Sequence, residues 1–204
     1  MVAKSFGSIA IKRPNSSKIS QSLSFPNDGI IFYDPNLTEC ESLLLGLKNN
    51  INSQAVKSKD DFFNELSNLR SCFKKNIYVL CHGSAGRLFF GDDCIDSNTL
   101  LENSSILSTL RVENIFLYSC EVGQDKSFIN SLKSLSKASI FYSDQLVGHE
   151  DKGGSWNLSS SLSEDNQISD AKAINNILPF SRSSLKSWNY VLPNLDSSLG
   201  AGVA

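Results

Sequence analysis

Much that would settle the class of this 204-residue chain at once is missing from it. There are only two histidines, His82 and His149, and the five cysteines (Cys40, Cys72, Cys81, Cys94 and Cys120) show no CxxC spacing. A structural zinc site is therefore not expected, and neither a metal nor a cofactor is assigned. The odd cysteine count argues against a closed disulfide framework and for reduced thiols. A positive excess is absent too: 19 Lys and Arg stand against 21 Asp and Glu, for a net charge of −2, so nucleic acid is not an expected partner. No apolar run approaches the roughly 20 residues a membrane span requires. The first residues carry scattered Lys and Arg without an apolar h-region, so no secretory signal is read there. The expected location is the cytoplasm, or the exterior by export without a cleavable N-terminal signal. No internal repeat is visible.

What is present is enough apolar residue, 40%, to build the core of one domain with extensions. The chain is organised around residues 77–86, an apolar, β-branched run that stops at His82-Gly83 and continues as a small-residue turn. Residues 115–120 have the same shape and end in Cys120. Each reads as a buried strand with a reactive side chain at its C-terminal tip. In open α/β sheets, sites form at that edge. A Cys beside a His is the smallest nucleophile-plus-base pair. Taken singly, each has a blander reading, a small buried thiol and a satisfied polar residue at a strand end.

In chain order, residues 1–28 read as an irregular lead-in with one short strand near 8–11. A first strand over 29–33 stops at Asp34-Pro35. Thr38 and Glu41 have capping-box spacing for a helix running through Leu43, Leu44 and Leu47. A weaker strand is read over 51–56, then a helix from Ser58 or Lys59 carrying Phe62, Phe63, Leu66 and Leu69. After the His82 strand, residues 87–95 form a hairpin turning at Gly91-Asp92-Asp93. An irregular helix over 97–110, the Cys120 strand, a helix over 127–135 and a strand over 139–143 follow. Beyond these come a turn and edge element at 153–158, a polar loop over 159–170, a short helix over 171–178 and a final edge strand over 187–192. The alternation predicts an α/β fold, a three-layer α/β/α sandwich with a mainly parallel sheet. Residues 29–160 form the domain, 161–194 an extension packing on it, and 195–204 a flexible, dispensable tail.

The ordered set His82-Gly83-Ser84-Ala85-Gly86, Leu88-Phe89-Phe90-Gly91, Leu117-Tyr118-Ser119-Cys120 and Gly153-Gly154-Ser155-Trp156-Asn157-Leu158 resembles the caspase-like cysteine peptidases. Phe32-Tyr33-Asp34 and Leu44-Leu45-Gly46-Leu47 fit as well. Within that fold group the chain looks most like a bacterial domain of unknown function found near the N-terminus of large repeat-bearing adhesin or haemolysin-like proteins. Two positions depart from the pattern: Ser119 stands where glycine is usual before the cysteine, and Ser155 where aspartate is usual after the glycine pair.

The resemblance implies a His-Cys dyad, with Cys120 as nucleophile and His82 as proton carrier. Thirty-eight residues separate the two, room for a hairpin and a helix. Gly83, which lacks a Cβ, and the Cys120 amide would supply the oxyanion donors. Ser119 and Asp144 are candidates for substrate contact. Tyr118 occupies the place, two residues before the nucleophile, where basic-specific members carry an acid. Strand alternation puts Cys81 on the face opposite His82, in the core. Cys72 and Cys94 read as structural, and His149 as a solvated loop residue. The expected partner is a peptide or protein substrate, the chain itself included. The competing expectation is a catalytically silent caspase-fold interaction module of a surface or secreted bacterial protein.

Overall fold

The structure, a computed structural model, describes residues 29–161 and 178–192. The expected strand near 8–11, the helix over 171–178 except its last residue Leu178, and the tail over 195–204 lie outside the described residues.

Six strands form the central sheet, in the order β2-β1-β3-β7-β8-β9. β1 (Gly29–Tyr33), β2 (Ile51–Ala55), β3 (Lys74–Leu80), β7 (Val112–Tyr118) and β8 (Ser139–Tyr142) are all parallel. The two-residue β9 (Ser159–Ser160) closes the far edge antiparallel to β8, inside the stretch expected as a loop. β4 (His82–Ser84), β5 (Arg87–Phe90) and β6 (Asp93–Ile95) make a separate antiparallel sheet. The expected hairpin is thus extended by one strand, which begins at His82 itself.

Alternation along the parallel strands divides the core in two. Phe32, Ile77, Val79, Ile115, Leu117 and Ile140 face α2 (Lys59–Asn68), α3 (Ser97–Glu102), α4 (Ser104–Leu107) and α5 (Lys126–Ser136). Ile31, Tyr78, Leu80, Phe116, Tyr118 and Phe141 face α1 (Cys40–Leu44), α6 (Arg182–Ser187) and the residues around α6. The result is a three-layer α/β/α sandwich with a mainly parallel sheet, an arrangement compatible with a caspase-like fold. On the second face, in-register neighbours Tyr78, Phe116 and Phe141 stack across three strands, with centroids 4.9 and 4.5 Å apart. Each such pair contributes about 0.5–1.5 kcal/mol beyond its buried area.

The helices start where short polar side chains answer free backbone N–H groups. Ser58 accepts from Asp61 N–H at 3.1 Å, Asp96 from Thr99 N–H at 2.9 Å, and Asp125 from Ser127 N–H at 2.8 Å. The expected Thr38–Glu41 capping box does not form. The residue before α1 is Glu39 in a left-handed conformation, with no side-chain cap. Thr38 instead gives its carbonyl to the Trp188 indole N–H, at 3.2 Å. α1 stops at Leu44, and Leu47 makes an antiparallel bridge to Phe180. Residues expected as a final strand over 187–192 are the end of α6 followed by a single bridge at Val191.

Two contacts fix the small sheet above the C-terminal edge of the large one. Asp34, buried at the end of β1, accepts the Gly91 N–H at 3.0 Å and the Asn36 N–H at 2.8 Å. Asp93 accepts the N–H of Lys59 at the start of α2, at 3.0 Å.

Candidate active site

The site begins with strand register. β3 and β7 are adjacent and parallel, with Leu80 beside Tyr118 as the last pair of the ladder. One residue further, the Cys81 N–H reaches the Tyr118 carbonyl at 3.4 Å. There the ladder ends: His82 opens β4 in the small sheet, opposite Phe89, while Cys120 follows the end of β7. The chain bends at Cys81, and β4 carries Gly83 over the backbone of the Cys120 strand end. A Cβ on Gly83 would stand 2.6 Å from the Cys120 carbonyl oxygen and 3.0 Å from its nitrogen. Any side chain there would push the two strand ends apart, so only glycine permits this approach.

The loops after each strand lock the pair. The turn joining β4 to β5 has Gly86 in a left-handed conformation, and its N–H bonds the Val122 carbonyl at 3.1 Å. Directly after Cys120, Glu121 adopts φ 56°. A non-glycine residue there costs roughly 1–2 kcal/mol. That strain is held by the Glu121 N–H on the Gln145 carbonyl, at 3.0 Å. Such outliers gather where a side chain must be aimed.

Cys120 is fully buried. Its thiol donates to the Leu192 carbonyl at 2.7 Å, and its sulfur accepts the Val147 N–H at 3.2 Å. Burial pushes this thiol from 9.0 up to about 11; the Val147 N–H opposes the push and Glu121 adds to it. His82 is half-buried at the head of β4.

The remaining candidates are placed apart. Ser119 turns to the other layer, its hydroxyl 3.2 Å from the Cys81 sulfur, and is fully buried. Cys81 lies in the core as alternation requires, and burial pushes its thiol up to about 12. Asp144 holds the Lys126 ammonium at 2.7 Å and sits half-exposed beside Gly123. His149 is not the solvated residue expected. One ring nitrogen accepts the Asp151 N–H at 3.2 Å and the other lies 3.2 Å from the Lys186 carbonyl at the end of α6. Cys72 is exposed and Cys94 half-buried, neither in a disulfide, so the structural role expected of Cys72 has no burial behind it. Among the described residues there is no group of three or more His, Cys, Asp or Glu able to hold a metal ion, and no helix long and apolar enough to cross a membrane. A small apolar cavity of about 20 Å³ lies between α2, the sheet and α5, on the face away from Cys120.

The sequence led to an extension packing on the domain, but not to its lying over Cys120. Residues 178–192 lie on the Cys120 face, where Phe180, Leu185, Trp188 and Leu192 are all buried.

The comparisons agree with that inclusion. The model of a family described as a domain of unknown function, DUF4347, matches residues 30–192. The chain belongs to this family. The match takes in β1, the His82 and Cys120 strand ends and the covering segment as one unit. No curated protein and no solved structure matches the chain.

The three buried thiols, Cys40, Cys81 and Cys120, give a test of this packing. Well below pH 9 they are protonated in folded and unfolded chains alike. Between pH 9 and about 11 the unfolded chain loses protons that the folded chain keeps at Cys40 and Cys120, and at Cys81 up to about 12. Stability must therefore fall as pH rises through that window. The slope is up to about 1.4 kcal/mol per pH unit for each thiol. Urea unfolding at pH 8, 9 and 10 should show a loss on the order of 3 kcal/mol across the last step, Cys40 supplying about a third of it. The loss should shrink in Cys81→Ala/Cys120→Ser; equal losses in both proteins would mean that Cys81 and Cys120 are not buried.

Proposed function

We propose that the chain is a cysteine endopeptidase of the caspase-like type, with Cys120 as nucleophile and His82 as proton carrier. The observation that carries this reading is the in-register juxtaposition of the β3 and β7 ends, with Gly83 against the Cys120 backbone. The ordered motif set of the sequence supports it.

In this reading His82 removes the thiol proton and the Cys120 sulfur attacks the scissile carbonyl carbon. The oxyanion forms within reach of the Gly83 and Cys120 N–H groups. Collapse breaks the C–N bond, and the imidazolium gives its proton to the leaving amine. Water then hydrolyses the thioester. Tyr118, a neutral residue buried in the sheet, stands where a basic-specific member would carry an acid, so cleavage after Lys or Arg is not part of the proposal. The Ser-rich segments of the chain itself are candidate substrates.

One observation favours a second reading, a silent interaction module of a surface or secreted bacterial protein. The Cys120 thiol is protonated at neutral pH and already engaged by a backbone carbonyl. Incubating the protein with a broad peptide library, with and without calcium, and sequencing new termini by mass spectrometry separates the two. New termini support the peptidase; none under any condition, with the fold intact, supports the module.

A further inference from the structure

The segment that meets Cys120 is seated in a particular way. The Tyr190 carbonyl accepts the His149 N–H at 2.8 Å, and the Leu192 N–H donates to the Val147 carbonyl at 2.9 Å. Val191 and Gly148 form the antiparallel bridge between them. This is the pattern by which an extended peptide adds itself to an exposed strand edge: main-chain bonds hold it, and alternate side chains select it. Gly148, at φ 143°, makes room; a Cβ there would stand 2.5 Å from the Tyr190 carbonyl oxygen and 2.6 Å from the Val191 Cα. The Leu192 side chain is buried in the cluster containing Tyr118, Val147, Trp156 and Trp188, whereas Tyr190 is well exposed. The carbonyl that follows the Leu192 side chain is the one hydrogen-bonded by the Cys120 thiol.

We propose that residues 190–192 are a resident occupant of the peptide groove that serves Cys120, and that the groove takes an extended chain with an apolar residue presenting its carbonyl to the thiol. The inference rests on the peptidase reading for its meaning, but its geometry is independent of turnover. The occupant is held rather than cut. The sulfur's proton points at the carbonyl oxygen, so no sulfur–carbon bond forms, and the amide beyond Leu192 is the tertiary one to Pro193. The anchors of the segment lie upstream, at Phe180, Leu185 and Trp188. Residues 190–192 are tied by two main-chain bonds to the 147–149 edge, by the Cys120 thiol, by the Leu192 side chain and by the Tyr190 ring against Trp188. They can therefore lift by a local opening that leaves the core closed. Opening uncovers the thiol and frees the Val147–His149 edge for a peptide of the same kind.

The experiment is site-resolved alkylation of the full chain with iodoacetamide at pH 7.5, read by peptide mass spectrometry. Exposed Cys72 reports the reagent, and Cys81, buried on the opposite face, reports global unfolding. In Leu192→Gly, Cys120 should react at least tenfold faster while Cys81 and Cys72 keep their wild-type rates. A peptide with the sequence of residues 187–192, carboxamide-capped and added to that variant, should slow Cys120 again. Cys120 reacting no faster, or only in step with Cys81, overturns the proposal. Should Leu192→Gly not fold, hydrogen exchange on the wild type decides instead. The His149 and Leu192 amides should open at the rate at which Cys120 is alkylated, well ahead of the amides of β3 and β7; exchange at the rate of those core amides overturns it. Faster labelling without cleavage of any peptide keeps the occupant and removes the peptidase. Cleavage with labelling unchanged by Leu192→Gly does the reverse.

Discussion

On the proposed peptidase reading, Cys120→Ser and His82→Ala should each cut peptide-bond cleavage, self-cleavage included, by several orders of magnitude in rate. Losing the sulfur would remove the covalent route, because a serine hydroxyl is a far weaker nucleophile than a thiol in such a pair. Losing the imidazole leaves a thiol that burial has already pushed up to about 11, hence almost wholly protonated at pH 7. The two effects should not add, because the residues act as one unit. Serine is the better substitution at this position. Its hydroxyl can donate to the Leu192 carbonyl and accept from the Val147 N–H, as the thiol does. Alanine would leave both buried backbone groups without a partner, at a cost of about 1–3 kcal/mol. Comparing Cys120→Ser with Cys120→Ala by urea unfolding thus separates packing from chemistry. The reading fails if wild type cuts a library peptide and Cys120→Ser cuts it equally well.

The parallel sheet was legible because its central strands β1, β3 and β7 hold apolar runs bounded at their C-terminal tips by Asp-Pro, Cys-His-Gly or Ser-Cys. The register that brings His82 and Cys120 to one edge followed from the matched lengths of the two runs. The chemistry within the edge was less legible, for reasons that can be named. Thr38 and Glu41 have the spacing of a capping box, but the Thr38 carbonyl is needed by Trp188, 150 residues away, and Glu39 takes the cap position instead. Ser119 and Cys120 are consecutive, so strand alternation sends their side chains to opposite layers. The edge strand read over 187–192 reduces to one bridge at Val191, and residues 178–192 act through tertiary contact. Their role comes from contacts with residues 38–48 and 147–149, which local pattern does not report. His149 reads as a loop histidine until α6 is placed against it, and only then do both ring nitrogens have partners.

Phe180→Ala is expected to destabilise the whole domain by about 3–5 kcal/mol, the usual cost of emptying a buried phenylalanine site. Phe180 is fully buried, meets the Trp156 ring edge-on at 6.2 Å and forms the bridge to Leu47. The residues on either side of it are tied to the α1 loop, through the Lys48 N–H on the Pro179 carbonyl at 2.9 Å and the Ser181 N–H on the Gly46 carbonyl at 2.8 Å. Behind the ring lie Ile31, Tyr78, Leu80 and Phe116, the second face of the sheet. If the segment merely rested on a finished domain, the loss would stay local and the sheet would melt as before. If it completes the second layer, as this burial requires, the cost falls on the global transition. Against a total stability of roughly 5–15 kcal/mol that is a large share. Urea unfolding followed by far-UV circular dichroism measures it: the midpoint should drop sharply with the slope unchanged, the sign of lost stability without a change in the surface exposed. A shift worth less than about 1 kcal/mol would place the segment outside the cooperative core. Phe180 also lies in the stretch that carries Leu192 to Cys120, so the same variant should loosen the cover over the thiol. Below the unfolding midpoint Cys120 alkylation should rise ahead of Cys81, because residues 190–192 lift locally while the core around Cys81 stays closed.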